Sequence, residues 1–235
     1  AGVCWNVELV SLKIYDGTHA YSSYVAEAID SADEKNIDIL SLSWSWNIPK
    51  NKITYGVYDE VLDSFISNYP GLFVCSAGND NTDIDNSSIQ ELPSSYQNID
   101  NKIVVGSINY DAISEISNTG ADTVDLFAQG EDIYVAYPVG TCNSSKHFDT
   151  NYPQELYAHE DDGYHKVSGT SFSAPLVAGV AAIMMCMNRD YFPDHPEIHP
   201  VQLRVLCIRR SGHWRGRRSA EPCPLRPPRR LQGRH

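Results

Sequence analysis

Apolar positions along the chain change period several times, and each change marks an expected element. Val7 to Tyr15, Val-Glu-Leu-Val-Ser-Leu-Lys-Ile-Tyr, alternates apolar and polar residues and is rich in β-formers, so a strand is expected there, followed by a Gly-containing turn. Val25, Ala28, Ile29 and Ala32 fall at i, i+3, i+4 and i+7, the stripe of an amphipathic helix; Glu27, Asp33 and Glu34 lie on its other side, and Ser22 or Ser23 is placed to cap it. Ile37 to Trp44 reads as a second strand. Tyr58, Val61, Leu62, Phe65 and Tyr69 return to helical spacing until Pro70-Gly71 stops it, and a third strand, Leu72 to Ser76, follows at once. Strand, helix, strand, helix, strand with short connections implies right-handed crossovers, hence an α/β fold with a mainly parallel central sheet covered by helices.

Further on, Asp80 to Asn101 is rich in Asn, Ser and Asp and is expected to form surface loops leading into an apolar strand, Ile103 to Ile108. Short strands are expected near Val124 to Phe127 and Ile133 to Ala136. Pro138 to Lys166 is polar, rich in tyrosine and turn formers, and longer than most connections, as an insertion or lid would be. Gly169 to Met187 is apolar on every side, the pattern of a buried helix. No internal repeats are present.

Composition bounds the reading. A chain of 235 residues with 42% apolar and 10% aromatic content can build a core, which excludes disorder throughout. Its net charge of −12 argues against a nucleic-acid binder. That total is uneven: Ala1 to Gln202 carries 29 acidic and 8 basic residues, a charge of −21, whereas Leu203 to His235 carries 10 arginines and one acid, a charge of +9. All lysines lie at or before Lys166 and all arginines at or after Arg189. The longest apolar run, Ala174 to Met187, is shorter than the roughly 20 residues that cross a bilayer, so no membrane span is expected. The first residues lack the basic start and apolar stretch of a signal peptide. The six cysteines form no Cys-x-x-Cys pair, and Cys75 and Cys186, set in apolar runs, are expected to be small buried hydrophobes.

Two motifs can carry chemistry. In Gly169-Thr170-Ser171-Phe172-Ser173-Ala174-Pro175, a serine before an apolar helix is most often an N-cap, and a proline in the first turn a routine helix starter. A nucleophilic serine would also gain there, because unpaired backbone N–H groups and partial positive charge at a helix N-terminus stabilise an anion formed beside it. In Val74-Cys75-Ser76-Ala77-Gly78-Asn79-Asp80, Gly-Asn-Asp is a good turn by itself. It also follows a strand whose carboxyl end is where open α/β sheets build binding sites, so Asn79 could hold an amide donor over a cleft.

The pair Gly-Thr-Ser-Phe-Ser-Ala-Pro-Leu-Val-Ala-Gly and Ser-Ala-Gly-Asn-Asp closely resembles the subtilisin-like serine peptidases (peptidase family S8). Flanking stretches agree: Asp38 to Ser43 resembles the strand lining the substrate cleft, Ile103 to Ser107 the Val-Gly-Ala strand, and Ser117-Asn118-Thr119-Gly120 and Ala128-Gln129-Gly130 two turns of the family. The resemblance, running from about Gly2 to Leu206, implies a three-layer α/β fold, incomplete at its N-terminus, and proteolysis through a seryl acyl-enzyme. It further implies that Ser171 is the nucleophile and that Asn79 is the side-chain donor of the oxyanion hole. The segments Ser41 to Ser45 and Ser76 to Gly78 would be the two walls holding the substrate backbone and the first specificity pocket. The substrate-binding residues expected on this basis are Ser43, Trp44, Ser45, Ser76, Ala77, Gly78 and Thr170. Ser45, flanked by Trp44 and Trp46, stands where the family usually has Gly.

A serine hydroxyl needs a base, and the family supplies Asp and His ahead of the serine in Asp-Thr-Gly and His-Gly-Thr-His motifs that this sequence lacks. Asp16-Gly17-Thr18-His19 shares letters with the second, but its place after Leu9 to Tyr15 does not match. His147, His159 and His165 are expected to be solvated surface residues. The resemblance therefore places the Asp and His upstream of Ala1, and the chain alone is expected to be inactive or nearly so. The alternative is a non-catalytic binding fragment or pseudoenzyme on the same scaffold.

No cofactor is required on this reading. Calcium is common in the family, and Asp80, Asp83, Asp85 and Asn86 offer oxygen ligands, but without the closing residues of an EF-hand a solvated acidic loop is expected, with no metal site. Expected partners are polypeptide substrates, with no membrane and no nucleic acid, in a monomer; family resemblance implies a secreted or cell-surface protein. Two regions are expected: a partial peptidase domain over residues 1–206 and an Arg/Pro-rich tail over residues 207–235, non-native or disordered. The tail favours residues with GC-rich codons, unlike the Asn-, Ile- and Lys-rich body, as a frame error or joining artefact would; a basic tail for an anionic partner is the competing reading.

Overall fold

The fold was obtained as a computed structural model that describes residues 2–50, 64–96, 99–136 and 164–191. Helix α1 spans Ser22–Glu34. Strands β1 (Ile39–Leu42), β2 (Trp46–Pro49), β3 (Leu72–Ser76), β4 (Ile89–Leu92) and β5 (Lys102–Asn109) come next. They are followed by β6 (Ala112–Ile113), β7 (Leu126–Gln129), β8 (Ile133–Ala136), β9 (Tyr164–Val167) and helix α2, Thr170–Tyr191.

The central sheet runs β1-β3-β5 with β7 on β5, all parallel, and β6 folds back antiparallel on the end of β5. Its α/β character is that read from the sequence. All five residues of β3 are buried, because both faces of the strand are covered. Phe73 and Cys75 point into a core with Val25, Ile29 and Ala32 of α1, while Leu72 and Val74 point into another with Ile103, Val105 and Ala174, Val177 and Ala181 of α2. Alternation along one strand thus joins the two helical layers. Burial also pushes the Cys75 thiol up to about 12, so it behaves as the small hydrophobe expected.

Several expectations are corrected. Val7 to Tyr15 forms no ladder: Leu12 and Ile14 lean on the α1-side core while Val7, Leu9 and Val10 are exposed, and no described strand pairs with it. Alternation can aim side chains, but a strand also needs a neighbour for its backbone groups. Tyr21, not Ser22 or Ser23, is the N-cap of α1, with no side-chain cap bond. Within the stretch expected as surface loops, Ile89–Leu92 forms β4 antiparallel to β2, and Glu91, Leu92, Ser94 and Tyr96 are buried. Helix α2 buries one side only; Val180, Cys186 and Met187 are exposed, so Cys186 is not the buried residue expected. By length and composition Thr170–Met187 could cross a membrane, yet Ala174, Val177 and Ala181 pack on the sheet.

Other expectations are met in part. Residues 64–68 are helical, the end of the helix expected over Tyr58 to Tyr69; the rest of it lies outside the described residues. The strands near Ile103 and Ile133 form as expected, and that near Val124 is shifted to Leu126–Gln129. From the Pro138 to Lys166 stretch, β9 pairs antiparallel with β8; His147, His159 and the tail lie outside the described residues.

Candidate functional site

Parallel strands put their carboxyl ends on one side of the sheet, and there the segments following β1 and β3 meet the start of α2. After β3 the ladder continues one residue further, Ala77 N–H donating to Val105 O at 2.9 Å, and Gly78 then turns the chain at φ +99°, a conformation that favours glycine. Buried Asn118 fixes the turn from behind. Its amide nitrogen donates to Ala77 O at 3.0 Å, and its amide oxygen accepts from the N–H groups of Asp80 and Thr82 at 2.9 and 3.0 Å. The resemblance singled out the Ser117–Gly120 turn; the clamp itself is visible only in three dimensions.

Facing it, Gly169 enters α2 at φ +149° and donates to Gly130 O at 2.7 Å, while Ser173 Oγ donates to Ala128 O at 3.1 Å. The helix begins at Thr170, so Ser171 is its second residue and not its N-cap. Thr170 is fully buried and joins both segments: Gly78 N–H donates to Thr170 Oγ1 at 3.1 Å, which donates to Asn79 Oδ1 at 3.0 Å, and Thr170 N–H donates to the same oxygen at 2.9 Å. Asn79 is exposed, and among the described residues its amide nitrogen makes no bond. Ser171 and Ser43 exchange bonds, Ser43 Oγ donating to Ser171 O at 2.8 Å and Ser171 Oγ to Ser43 O at 3.4 Å. No histidine accepts from Ser171 among the described residues.

The expected walls converge as well. Trp44 and Trp46 pack against each other with ring centroids 4.8 Å apart. Ser45 Oγ donates to Glu91 Oε1 at 2.8 Å, and a Cβ on Gly78 would lie 2.0 Å from that same oxygen. Ser76 and Ala77 are buried behind them. Glu91, read in the sequence as part of a polar loop, therefore sits between the two walls, its other carboxylate oxygen accepting from Asn118. Burial pushes its carboxyl up to about 7; the Ser45 bond opposes this, the charge of Asp80 adds to it, and the Asn118 bond opposes it. Ile89 and Leu92, on either side of Gln90-Glu91, were the local hint of its burial.

Of the carboxylates weighed as calcium ligands, Asp83 is engaged within its own loop, whereas Asp85 reaches a distant turn and keeps a buried Oδ1 that has no hydrogen-bond partner among the described residues. Asp83 accepts from Asn86 and from Asp85 N–H, and Asp85 from Asp122 N–H. Among the described residues no group of three or more acidic, His or Cys side chains is arranged to hold a metal.

The subtilase family model matches residues 1–219. The chain is 26% identical over 197 residues, 82% of its length, to the major intracellular serine protease of Bacillus subtilis (strain 168). It is 28% identical over 217 residues, 90% of its length, to alkaline serine exoprotease A of Vibrio alginolyticus. These matches cover 51% and 32% of the two relatives, so the chain spans about half their length or less. Among solved structures, a lanthipeptide protease superposes with a TM-score of 0.64 at 19% identity, covering 83% of this chain and 61% of the other, a likeness of fold.

Proposed function

The chain belongs to the subtilase family of serine proteases, and on that premise we propose that it carries the substrate-binding and oxyanion-stabilising part of a peptidase site, with Ser171 as nucleophile. The observation that carries this reading is the Thr170 bridge, which holds Asn79 by its oxygen beside the N-terminus of α2, where Ser171 stands. The amide nitrogen of Asn79 and the Ser171 N–H are then the donors for the oxyanion of a tetrahedral intermediate, where charge develops on the former carbonyl oxygen. Ser43 to Ser45 and Ser76 to Gly78 hold an extended polypeptide between them.

The Ser171 hydroxyl points its bond at a carbonyl, an acceptor that cannot take its proton. Proton transfer by a base is worth roughly 10²- to 10⁴-fold, so the 235-residue chain alone has little or no peptidase activity. A fluorophosphonate probe tests this: slow or absent labelling of Ser171 is expected, and labelling at the rate of an activated serine overturns it. The relatives include both an intracellular protease and an exoprotease by name, so secretion is not part of the proposal.

A further inference from the structure

At the end of the sheet opposite the cleft, a groove of about 190 Å³ opens between α1 and residues 64–69. Buried Ile29 and Tyr69 and half-buried Phe65 make its floor. Exposed Asp30 and Asp33 stand on one side, and Ser64 and Asn68, bonded to each other, on the other. Its place follows from the topology. α1 ends just before β1 and residues 64–69 just before β3, so both lead into the amino ends of parallel strands, where the Tyr69 hydroxyl donates to Ile37 O. Among the described residues neither aspartate makes an ion pair, and no cationic side chain lines the groove. Burial first, and then the charges of Asp33 and Asp38, push the Tyr69 hydroxyl well above its ordinary value, so the floor lies in negative potential. An apolar floor beside two carboxylates suits a cation on an alkyl stem, which buries its methylenes and leaves its head at the rim.

We propose that this groove is filled by an arginine of the chain's own C-terminal segment, residues 203–235. That segment carries 10 arginines and a charge of +9, against −21 on residues 1–202. It also starts from the right side of the molecule. α2 enters at the carboxyl ends of the strands and packs along β3 and β5; its 22 residues outrun the five of β3, roughly 33 Å against 17 Å. The chain therefore leaves Tyr191 at the same end of the sheet as the groove. The 13 residues from Tyr191 to Arg204 reach roughly 40 Å when extended, enough to pass from one helical layer to the other at about 10 Å per layer. A tethered segment acts at an effective concentration in the millimolar range, so one guanidinium bonded to Asp30 or Asp33 suffices to hold it. Docking there keeps the basic segment away from the cleft, and the inference stands apart from the peptidase reading.

The test is digestion of the 235-residue chain by an arginine-specific protease, which can cut only at or after Arg189 because no arginine precedes it. Cleavage at each bond is timed by mass spectrometry against a free peptide of residues 203–235 under the same conditions. In about 20 mM salt at least one arginine bond of the segment should be cut about tenfold more slowly in the chain than in the peptide, and about 0.5 M salt should abolish the difference. The D30N/D33N variant, two near-isosteric changes at exposed positions, should keep the fold and lose the protection. A D111N/E115Q variant removes the same charge from exposed positions beside β6 and should keep it. Equal rates in chain and peptide overturn the proposal, as does protection that survives in D30N/D33N. Loss of protection in both variants alike assigns it to net charge and overturns the groove. Protection that falls when the chain is diluted from about 50 to 1 µM makes a second copy the occupant and overturns docking within one chain.

Discussion

The amide oxygen of Asn79 accepts two hydrogen bonds from Thr170, from its backbone N–H at 2.9 Å and from its hydroxyl at 3.0 Å, and the same hydroxyl accepts from Gly78 N–H at 3.1 Å. One threonine thereby orients the amide and satisfies a buried backbone donor. Thr170→Val keeps the shape but leaves Gly78 N–H without an acceptor, which should lower stability by about 1–3 kcal/mol in urea unfolding. Asn79→Ala takes the acceptor from the buried Thr170 N–H and hydroxyl, so it should also cost about 1–3 kcal/mol of stability, and in the still-folded chain it should weaken binding of peptide boronic acids about 10- to 100-fold, the range of a hydrogen bond to a charged group. Equal affinities for N79A and the parent chain would remove Asn79 from the site.

Gly78 offers a second test because two independent constraints act on it, a φ of +99° and the nearness of Glu91. Gly78→Ala should destabilise by at least about 2 kcal/mol through backbone strain and overlap. Shortening the neighbour in G78A/E91A should relieve the overlap but not the strain. A double-mutant cycle should therefore show coupling of about 1 kcal/mol or more. Additive effects would mean that the two residues do not touch.

The raised carboxyl of Glu91 makes stability depend on pH. Its folded value of about 7 lies above its ordinary 4.5, so the folded state holds the proton more tightly than the unfolded chain. The contribution is complete below about pH 4.5 and is lost as pH rises through 7, on the order of 3 kcal/mol in all. Thermal midpoints should fall between pH 5 and pH 8, and E91Q should flatten that fall. Asp83, held low chiefly by its bond from Asn86, acts in the opposite sense and at lower pH, outside this window. A wild-type midpoint that rises from pH 5 to 8 in step with E91Q would contradict the assignment.

Lys102 is buried in the register of β5 opposite Phe73, and its ammonium donates to the carbonyls of Pro93 and Tyr96, at 3.1 and 2.6 Å, and of Ser94. It ties down the segment that follows β4 and so supports the position of Glu91. Lys102→Met matches its length but leaves those carbonyls without their donor. Urea unfolding should report a loss of roughly 2–3 kcal/mol. Unchanged stability would show that the bonds to water in the unfolded chain are as good.

The sequence by itself determined the parts of this protein that depend on local pattern. Leu72–Ser76 was legible as a strand because its residues are apolar or small throughout, as burial on both faces demands. The two motifs around Asn79 and Ser171 were legible as candidates because helix starts and strand ends have chemical meaning wherever they occur. Tertiary structure alone decided what depends on a distant partner. Val7 to Tyr15 has a strand's alternation but no described neighbour to complete its backbone bonds, whereas Ile89–Leu92 looks like loop and becomes a strand because β2 lies beside it. Glu91 is the sharpest case: its burial rests on Ser45, 46 residues before it, and Asn118, 27 residues after it. Local propensity acts within a few residues, but the desolvation of a charge is set by everything the fold brings around it.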